Sequence, residues 1–286
     1  MKLLSFGEII WDVYPDGKAL GGAPLNFALH SAKLGAQTFI ISAVGDDIIG
    51  KEALELIKAR GVSTAYVKTN TYPTGRCDVT LDENKIPTYS LMRNASYDFI
   101  DISDEELKTI AEAKFDAICF GTLIQRNEKS RKTLHRLIES VRFGTVFCDI
   151  NLREGNYDKE SVLFCLKNAN VLKVSLEEAP SLTSLGIYPS PYKSTPQMLA
   201  KVLFSSFENL DTVLLTDGEH GAYCFNEDYV SLFSPAKRVS VVSTVGAGDS
   251  FGAAWLTSHL SGSTPMKSLE KATSYSADVI SGKYIK

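Results

Sequence analysis

The stretch V-S-V-V-S-T-V-G-A-G-D-S-F-G, from Val239 to Gly252, carries the strongest fold signal of this chain. Its valine-rich first part predicts a buried strand, Gly246 and Gly248 predict a sharp turn, and the apolar spacing that begins at Phe251 predicts a helix. The first backbone amides of a helix have no acceptor inside the helix, and the aligned peptide dipoles place partial positive charge there. A strand, a glycine turn and a helix start therefore predict a binding site for an anion.

The same turn carries one carboxylate, Asp249. Gly246, Ala247 and Gly248 have little or no side chain, so a phosphate can approach their N–H groups. Because a carboxylate repels phosphate, Asp249 needs another reason to be there, and accepting the proton of an attacking hydroxyl group is a good one. The turn predicts phosphoryl transfer to an alcohol.

Two other interpretations use the same residues. In one, the glycines only end a strand and Asp249 caps a core helix, as Asp often does. In the other, Gly246, Gly248 and Gly252 form a dinucleotide-binding fingerprint. The second is disfavoured because few residues follow Gly248, and they contain no convincing second strand with an acidic residue for a ribose.

The segment T-V-G-A-G-D-S-F, at Thr244 to Phe251, resembles the carboxyl-terminal signature of the PfkB, or ribokinase-like, carbohydrate kinases. Near the amino terminus, the patterns G-E-x-x-W-D and G-G-A-P-x-N are similar to those of bacterial fructokinases in this family. The resemblance extends over nearly the whole chain. It implies a ribokinase-like α/β fold with a mostly parallel central sheet, helices on both faces and a small β lid, all in one kinase domain over residues 1–286.

The resemblance also implies an activity, that of an ATP-dependent sugar kinase with fructose as the favoured substrate and with ATP and Mg²⁺ as cofactors. Asp249 would be the catalytic base, and Gly246, Ala247 and Gly248 would hold the transferring phosphoryl group. Other substrates of the same family, above all 2-keto-3-deoxygluconate or ribose, remain as alternatives. An alternative of another class is a non-catalytic sugar-binding or regulatory relative.

Candidate sugar-binding residues follow the first predicted strand, Lys2 to Ile10. This strand ends in Gly7-Glu8, Asp12 follows after Trp11, and a turn at Gly21-Gly22 precedes a helix start that contains Asn26. A carboxylate and an amide can each pair with sugar hydroxyls in fixed geometry. The alternative is that Asp12 lies in a turn and Asn26 is a satisfied helix-start residue. The resemblance implies sugar contacts for Asp12, Gly22 and Asn26.

Residues 65–97 contain short alternating runs with turn residues at Pro73-Thr74-Gly75 and Asp82-Glu83-Asn84, which predict hairpins. The resemblance implies that residues from about 10–20 and 65–97 form the β lid, with a homodimer contact there. Arg93 lies near the end of this region. Its guanidinium would suit a carboxylate or a cluster of hydroxyl groups, which keeps an acidic sugar among the candidate substrates. The alternative is a solvated arginine beside a strand end.

The remainder of the chain alternates between predicted strands and helices, which indicates a parallel sheet covered on both faces. Ligands are then expected at the carboxyl ends of the strands. The predicted strands are Phe39 to Ala43, Ala117 to Phe120, Thr145 to Ile150, Val171 to Val174 and Thr212 to Thr216; the predicted helices are Glu128 to Val141, Lys159 to Asn168 and Pro196 to Phe204, with a capping box opening another at Ser103.

Polar groups follow several of these strands, among them Asp149-x-Asn151-x-Arg153 and Lys173-x-Ser175-x-x-Glu178. For any one of them, loop capping is a sufficient explanation. The resemblance implies that Lys173 and Glu178 face the phosphates and the hydrated magnesium, Glu178 through water. It also implies that the nucleotide groove is lined by Thr216, Gly218, Gly221, Gly246 and Gly248.

Two substitutions depart from the family pattern. Ser175 replaces the usual Asn of N-x-x-E, which weakens one side of the water-mediated magnesium contact. Ser243 replaces an Asp that in relatives belongs to a monovalent-cation loop. A neutral hydroxyl attracts K⁺ much less than a carboxylate does, so activation by K⁺ is not expected.

One further motif is rejected. Gly45 to Lys51 fits G-x-x-x-x-G-K, the first part of a phosphate-binding P-loop. Glu52 stands where the magnesium-binding hydroxyl would be, and Asp46-Asp47 would put two negative charges into the phosphate cradle.

Composition narrows the class of partner. The 286 residues have a net charge of −4 and no basic cluster, which argues against a nucleic-acid partner. An acidic start, with Glu8 and Asp12, and the lack of a long apolar run predict a cytoplasmic protein without a membrane contact. The five cysteines form no C-x-x-C pair and are expected to be buried free thiols. A small-molecule sugar and ATP are the expected partners.

Overall fold

The computed structural model describes residues 1–81, 87–189, 195–228 and 230–283. The chain divides into two compact units. The amino-terminal unit consists of Lys2–Phe115 and Ile124–Arg142, and the carboxyl-terminal unit consists mainly of Asp116–Leu123 and Phe143–Lys286. The expectation of one kinase domain stays a prediction.

The amino-terminal unit contains two groups of strands. Three parallel strands lie in the order β1-β4-β5, and four strands form a separate small sheet in the order β3-β2-β6-β7. The strands are β1 (Lys2–Phe6), β2 (Ile10–Tyr14), β3 (Gly17–Gly21), β4 (Gln37–Gly45), β5 (Val62–Asn70), β6 (Gly75–Leu81) and β7 (Pro87–Leu91), and the helices are α1 (Ala23–Lys33), α2 (Ile48–Ala59), α3 (Asp104–Glu112) and α4 (Glu128–Ser140).

The core of this unit forms where α1 and α2 pack their apolar faces on the parallel strands. Burial of these side chains removes apolar surface from water, which is the main stabilising term in folding. The cluster consists of Ile9, Trp11, Leu25, Ala28, Ile40, Val44, Ala53, Ile57 and Val62.

The carboxyl-terminal unit contains six strands in the order β13-β12-β11-β10-β9-β8. Neighbouring strands from β8 to β11 are parallel, and β12 and β13 are antiparallel. The strands are β8 (Ala117–Phe120), β9 (Thr145–Asp149), β10 (Val171–Ser175), β11 (Thr212–Asp217), β12 (Gly221–Asn226) and β13 (Ser231–Pro235), and the helices are α5 (Lys159–Asn168), α6 (Ala179–Ser184), α7 (Pro196–Ser206), α8 (Ala247–Leu260) and α9 (Pro265–Ile280).

Most predicted elements are confirmed with small changes at their ends, and two are wrong. The single strand predicted from Lys2 to Ile10 is two strands in different sheets, because the chain leaves β1 at Gly7. A Cβ atom at Gly7 would lie 2.4 Å from Cγ of Pro24, so the chain and the start of α1 approach closely there.

The strand predicted from Val239 to Val242 is also wrong. Residues 236–244, all of them described, form no strand, and Val241 and Val242 are 56 % and 68 % exposed. The amides of Val242 and Ser243 both donate to the carbonyl of Ile280, at 2.8 and 3.2 Å. The end of α9, rather than a neighbouring strand, therefore satisfies this backbone.

The region proposed as a β lid is only partly the small sheet. Residues 65–70 belong to β5 and pair in parallel with β4, whereas residues 10–21, 75–81 and 87–91 build the four-stranded sheet. The turn predicted at Asp82-Glu83-Asn84 lies outside the described residues. That the small sheet closes over a sugar, or forms a dimer contact, stays a prediction.

All five cysteines are buried and free, as expected. Burial raises the pKa of the Cys148 thiol well above its usual value, which keeps it protonated and unreactive. In the part of the chain that the structure describes, no helix is both long and apolar enough to span a membrane.

Asp47, inside the rejected P-loop pattern, caps α2. Its Oδ1 accepts from the amide of Gly50 at 2.7 Å, and its Oδ2 accepts from the amide of Thr74 at 2.8 Å. The hydroxyl of Thr74 donates to Oδ1 at 2.7 Å and accepts from the amide of Gly45 at 2.9 Å. The carboxylate thus ties the start of α2 to the segment that leads into β6, a structural role.

Partial burial acts to raise the pKa of Asp47, but the bonds from Thr74 and Gly50 outweigh it, so the pKa lies below its usual value. A lowered folded-state pKa contributes stability above the unfolded pKa of about 4, and this is lost as pH falls through the folded pKa. We expect Asp47→Asn to lower the free energy of unfolding by about 1–2 kcal/mol at pH 7, as measured by urea denaturation. The difference from wild type should narrow below pH 4.

Asp46→Asn is the matched control, because the neighbouring Asp46 side chain is 70 % exposed and pairs with Lys51 in a surface ion pair. Such pairs contribute little, so its effect should stay within about 0.5 kcal/mol. Equal stability of Asp47→Asn and wild type at pH 7 would contradict the capping role.

Candidate active site

The predicted glycine turn is present at the start of α8. Gly246 is the residue before the helix and has φ 76° and ψ 4°, in the left-handed region that favours glycine. No side chain caps this helix start. Asp249 lies in the first turn and is partly buried, so it is not directed into the apolar core.

Lys173 lies beside this turn. It projects from β10, is buried, and its Nζ lies 3.0 Å from the position that a Cβ atom at Gly248 would take. A Cβ atom at this position would press on the ammonium group, so a glycine lets Lys173 lie close to the helix backbone. The positive ends of the α8 amides and a lysine cation therefore share one place, which suits a phosphate group.

Asp149, at the end of the neighbouring strand β9, holds Lys173 in position. The strands are in register at these two residues, and Nζ donates to both carboxylate oxygens at 2.9 Å. Burial acts to lower the pKa of Lys173, but the charges of Asp149, Glu178 and Asp249 outweigh it, so its pKa is raised. Lys173 is therefore charged at neutral pH.

Glu178 joins the ends of the same two strands. Its Oε2 accepts from the amide of Ser175 at 2.7 Å, and its Oε1 accepts from the amide of Leu152 at 2.6 Å. Burial and the charge of Asp149 raise its pKa. Each oxygen keeps a second lone pair, so a water-mediated metal contact remains compatible with this geometry. Among the described residues, no group of three or more His, Cys, Asp or Glu is placed to hold a metal ion.

The predicted nucleotide residues Thr216, Gly218 and Gly221 lie at the turn between β11 and β12. Thr216 is in register with Ser175 on β10, and Gly218 has φ 49°. A Cβ atom at Gly221 would lie 2.2 Å from the carbonyl oxygen of Ser234. The close approach of β13 therefore explains the glycine at 221 without any ligand.

Asp12, Gly22 and Asn26 lie together in the amino-terminal unit. A Cβ atom at Gly21 would lie 2.7 Å from Oδ2 of Asp12, so the carboxylate lies against Gly21. Gly22 has φ 113° and precedes α1, and its carbonyl accepts from the amide of Asn26 at 2.8 Å. Asp12 and Asn26 are both partly buried.

Three site residues had no assigned role in the sequence analysis. Glu8 is buried and accepts from the amide of Ala23 at 2.9 Å, which fixes the start of α1. Asp149 is the partner of Lys173. The sequence could have predicted such a partner, because a lysine in a buried strand needs a nearby acid. Arg126 is a buried arginine that gave no signal in the sequence, whereas the predicted sugar contact Arg93 is exposed.

The chain is similar in sequence to known sugar kinases. It is 27 % identical over 269 residues to Fructokinase-2 of Oryza sativa subsp. japonica, covering 87 % of this chain and 77 % of that protein. It is 29 % identical over 293 residues to the ATP-dependent 6-phosphofructokinase of Thermoanaerobacterium thermosaccharolyticum, covering 96 % and 86 %.

Solved structures show the same ribokinase-like α/β fold. The 2-dehydro-3-deoxygluconokinase of Thermotoga maritima superposes with a TM-score of 0.83 at 20 % identity, over 98 % of this chain and 94 % of that one. A fructokinase of Xylella fastidiosa with bound ATP gives 0.81 at 18 % identity, over 98 % and 92 %. The family described as pfkB family carbohydrate kinase matches residues 6–284. The chain therefore belongs to the PfkB family of carbohydrate kinases.

Proposed function

We propose that this protein is an ATP-dependent fructokinase, which transfers the γ-phosphoryl group of ATP to the primary hydroxyl of D-fructose and forms fructose 6-phosphate. The observation that carries the proposal is the start of α8, where a helix start without a side-chain cap, the cation of Lys173 and the carboxylate of Asp249 come together. The helix start and Lys173 would bind a phosphate there, and Asp249 would accept a proton.

In this proposal Asp249 accepts the proton of the attacking hydroxyl group. Gly246, Ala247 and Gly248 hold the transferring phosphoryl group, and Lys173 neutralises part of its charge. Because the transition state of phosphoryl transfer is largely dissociative, most of the rate enhancement comes from positioning and charge stabilisation, with the base acting late.

The nucleotide would lie along Thr216, Gly218 and Gly221, with its phosphates at the α8 turn. Mg²⁺, when bound, neutralises the β- and γ-phosphates. Glu178 would hold it through water, because its two oxygens already accept backbone amides and Mg²⁺ usually keeps several waters.

Asp12, Gly22 and Asn26 would orient the sugar. The residues that share a sheet face with Asp12, by strand register, are uncharged: Ala19, Cys77 and Leu91. The charged residues of the small sheet that register places on the opposite face are Lys18, Arg76 and Asp78. A carboxylate on an otherwise neutral face favours an uncharged sugar over a sugar phosphate, and so favours fructose over the substrate of a 6-phosphofructokinase.

An acidic sugar, 2-keto-3-deoxygluconate, is the second candidate. Arg93 lies two residues beyond Leu91, just after the end of β7 in the small sheet that carries Asp12, and it is exposed. A guanidinium there would pair with a carboxylate. The likeness to the Thermotoga maritima structure supports this candidate at the level of the fold.

A panel of acceptors tests the substrate. We expect ADP release from ATP and Mg²⁺ to be fastest with fructose and at least about tenfold slower in kcat/KM with ribose, 2-keto-3-deoxygluconate and fructose 6-phosphate, because each lacks or adds a group that a polar site reads. A preference for 2-keto-3-deoxygluconate that disappears in Arg93→Ala would replace fructose with the acidic sugar. Sugar binding by calorimetry without turnover of any acceptor would indicate a non-catalytic relative.

Asp249→Ala tests the base. Turnover of the preferred sugar should fall by roughly 10²–10⁴-fold, because proton transfer from the hydroxyl loses its acceptor. Thermal stability should change little. Asp228→Ala, at an exposed acid between β12 and β13, is the control and should keep wild-type turnover. Unchanged turnover in Asp249→Ala would remove this residue from the mechanism.

Ser243 predicts a kinase that does not need K⁺. Its hydroxyl oxygen accepts from the amide of Val245 at 3.2 Å, and it carries no charge. Turnover in KCl and in tetramethylammonium chloride at equal ionic strength should agree within about twofold, because a neutral oxygen attracts the ion weakly. Ser243→Asp should make turnover respond to K⁺. A wild-type rate that rises about tenfold with K⁺ would show that a cation site exists without the carboxylate.

A further inference from the structure

Arg126 and Asp98 form an ion pair in the interior of the amino-terminal unit. Their side chains are 4 % and 2 % exposed. Nε of Arg126 donates to Oδ1 at 2.7 Å, and Nη2 donates to Oδ2 at 2.8 Å. Removing two charges from water is costly, and apolar residues of similar volume are often as stable. Stability alone is therefore a weak explanation for this pair.

The guanidinium of Arg126 also binds the backbone. Nη2 donates to the carbonyl oxygen of Met92 at 2.5 Å, and Cζ lies 4.9 Å from the ring centroid of Tyr97. Burial acts to lower the pKa of Arg126, but the hydrogen bonds and charge of Asp98 outweigh it, so its pKa is raised. A charged, planar donor thus binds a carboxylate and a carbonyl at once, which the single ammonium of a lysine cannot reproduce.

These contacts hold the segment from Met92 to Asp98 at two points. The amide of Met92 donates to the carbonyl of Arg76 at 2.8 Å, which continues the pairing of β6 and β7 by one residue. Oδ2 of Asp98 accepts from the amide of Ala95 at 3.1 Å. Arg126 therefore binds Met92 directly and Ala95 through Asp98.

Arg93 and Asn94 are the two residues between these points. Asn94 has φ 55°, in the left-handed region that is unfavourable for residues other than glycine. Such a conformation persists when the surrounding structure leaves the chain no alternative. The ion pair therefore constrains the backbone that carries Arg93, together with the bonds of Ser96 to the carbonyls of Tyr72 and Pro73.

We propose that Arg126 is a positioning residue for sugar recognition, acting through the backbone of Met92 on the side chain of Arg93. This inference rests on the proposed function and adds one sugar contact to it, the guanidinium of Arg93, whose N–H groups can donate to the hydroxyl groups of fructose. Arg126 does not itself touch the sugar, since its guanidinium is occupied by Asp98 and Met92. Its effect should appear in sugar affinity and not in the use of ATP.

Arg126→Lys in the full-length protein is the test, because it keeps the positive charge and removes the forked set of guanidinium N–H donors. We expect KM for fructose to rise about tenfold, as a displaced contact residue would cause, with KM for ATP within about twofold of wild type. Hydrogen–deuterium exchange in a peptide covering residues 92–98 should be faster. In an Arg93→Ala background, Arg126→Lys should have no further effect on KM, because the residue through which it acts is gone.

Arg136→Lys is the matched control. Arg136 lies on α4 and also binds an acid and a carbonyl, those of Asp104 and Ile102, but at a more exposed position. Arg136→Lys should leave KM for fructose and KM for ATP unchanged. Asp98→Asn is a second variant, which keeps the side-chain volume and should reproduce the rise in KM for fructose if Arg126→Lys does not fold.

Four outcomes would overturn the inference. Faster exchange over residues 92–98 with an unchanged KM for fructose would show a structural pair without a role in recognition. Equal rises in KM for fructose and ATP, or an undiminished effect in Arg93→Ala, would show a general loss of structure. A wild-type protein that turns over no sugar would refute the proposed function itself, and the positioning role with it.

Discussion

The carboxyl-terminal site depends on the buried ion pair between Lys173 and Asp149. An ammonium group is expensive to remove from water, so its place in the fold requires a carboxylate partner. Asp149 provides this at the end of the next strand, with both oxygens 2.9 Å from Nζ. The register of β9 and β10 is thereby linked to the place where a phosphate would be held.

The approach of α8 to this cation follows from a missing side chain. At Gly248 a Cβ atom would stand 3.0 Å from Nζ of Lys173, and at Gly246 the backbone adopts the left-handed region. One glycine provides space and the other provides the bend. Asp249 then enters the first turn of the helix within electrostatic range of the same lysine. The two glycines therefore bring together the helix start, the cation of Lys173 and the carboxylate of Asp249.

Hydrogen bonds between side chains and the backbone fix the strand ends around Lys173. Glu178 accepts from the amides of Ser175 and Leu152, and the hydroxyl of Thr122 donates to the carbonyl of Ile150 at 2.8 Å. Asn151, between these fixed points, has φ 43°, an unfavourable value that the surrounding bonds maintain. A site whose supports are themselves bonded holds its geometry without a ligand, which is what catalysis by positioning requires.

Local sequence patterns predicted the α/β class, the strands and helices of the carboxyl-terminal unit, and the glycine turn with Asp249. They did so because hydrophobic period, helix caps and turn residues act over a few neighbouring positions. They failed at Val239–Val242, where a valine-rich run has the composition of a strand but bonds to Ile280 at the end of a helix. They failed again at Gly7, where contact with Pro24 divides one predicted strand between two sheets. In both places the partner of the backbone is distant in the chain.

In the candidate site, too, local sequence predicted some features and only the tertiary structure decided the others. The residue types at 246–249 by themselves predicted an anion site with a base, because the helix start and the glycines act locally. Only the tertiary structure decided that Lys173 pairs with Asp149, that Glu178 joins two strand ends, and that Arg126 binds the segment before Arg93. The bonds from Lys173 to Asp149, from Leu152 to Glu178 and from Arg126 to Met92 join residues 24, 26 and 34 positions apart. The pairing of a buried charge depends on which strands become neighbours, and the packing of the whole sheet decides this.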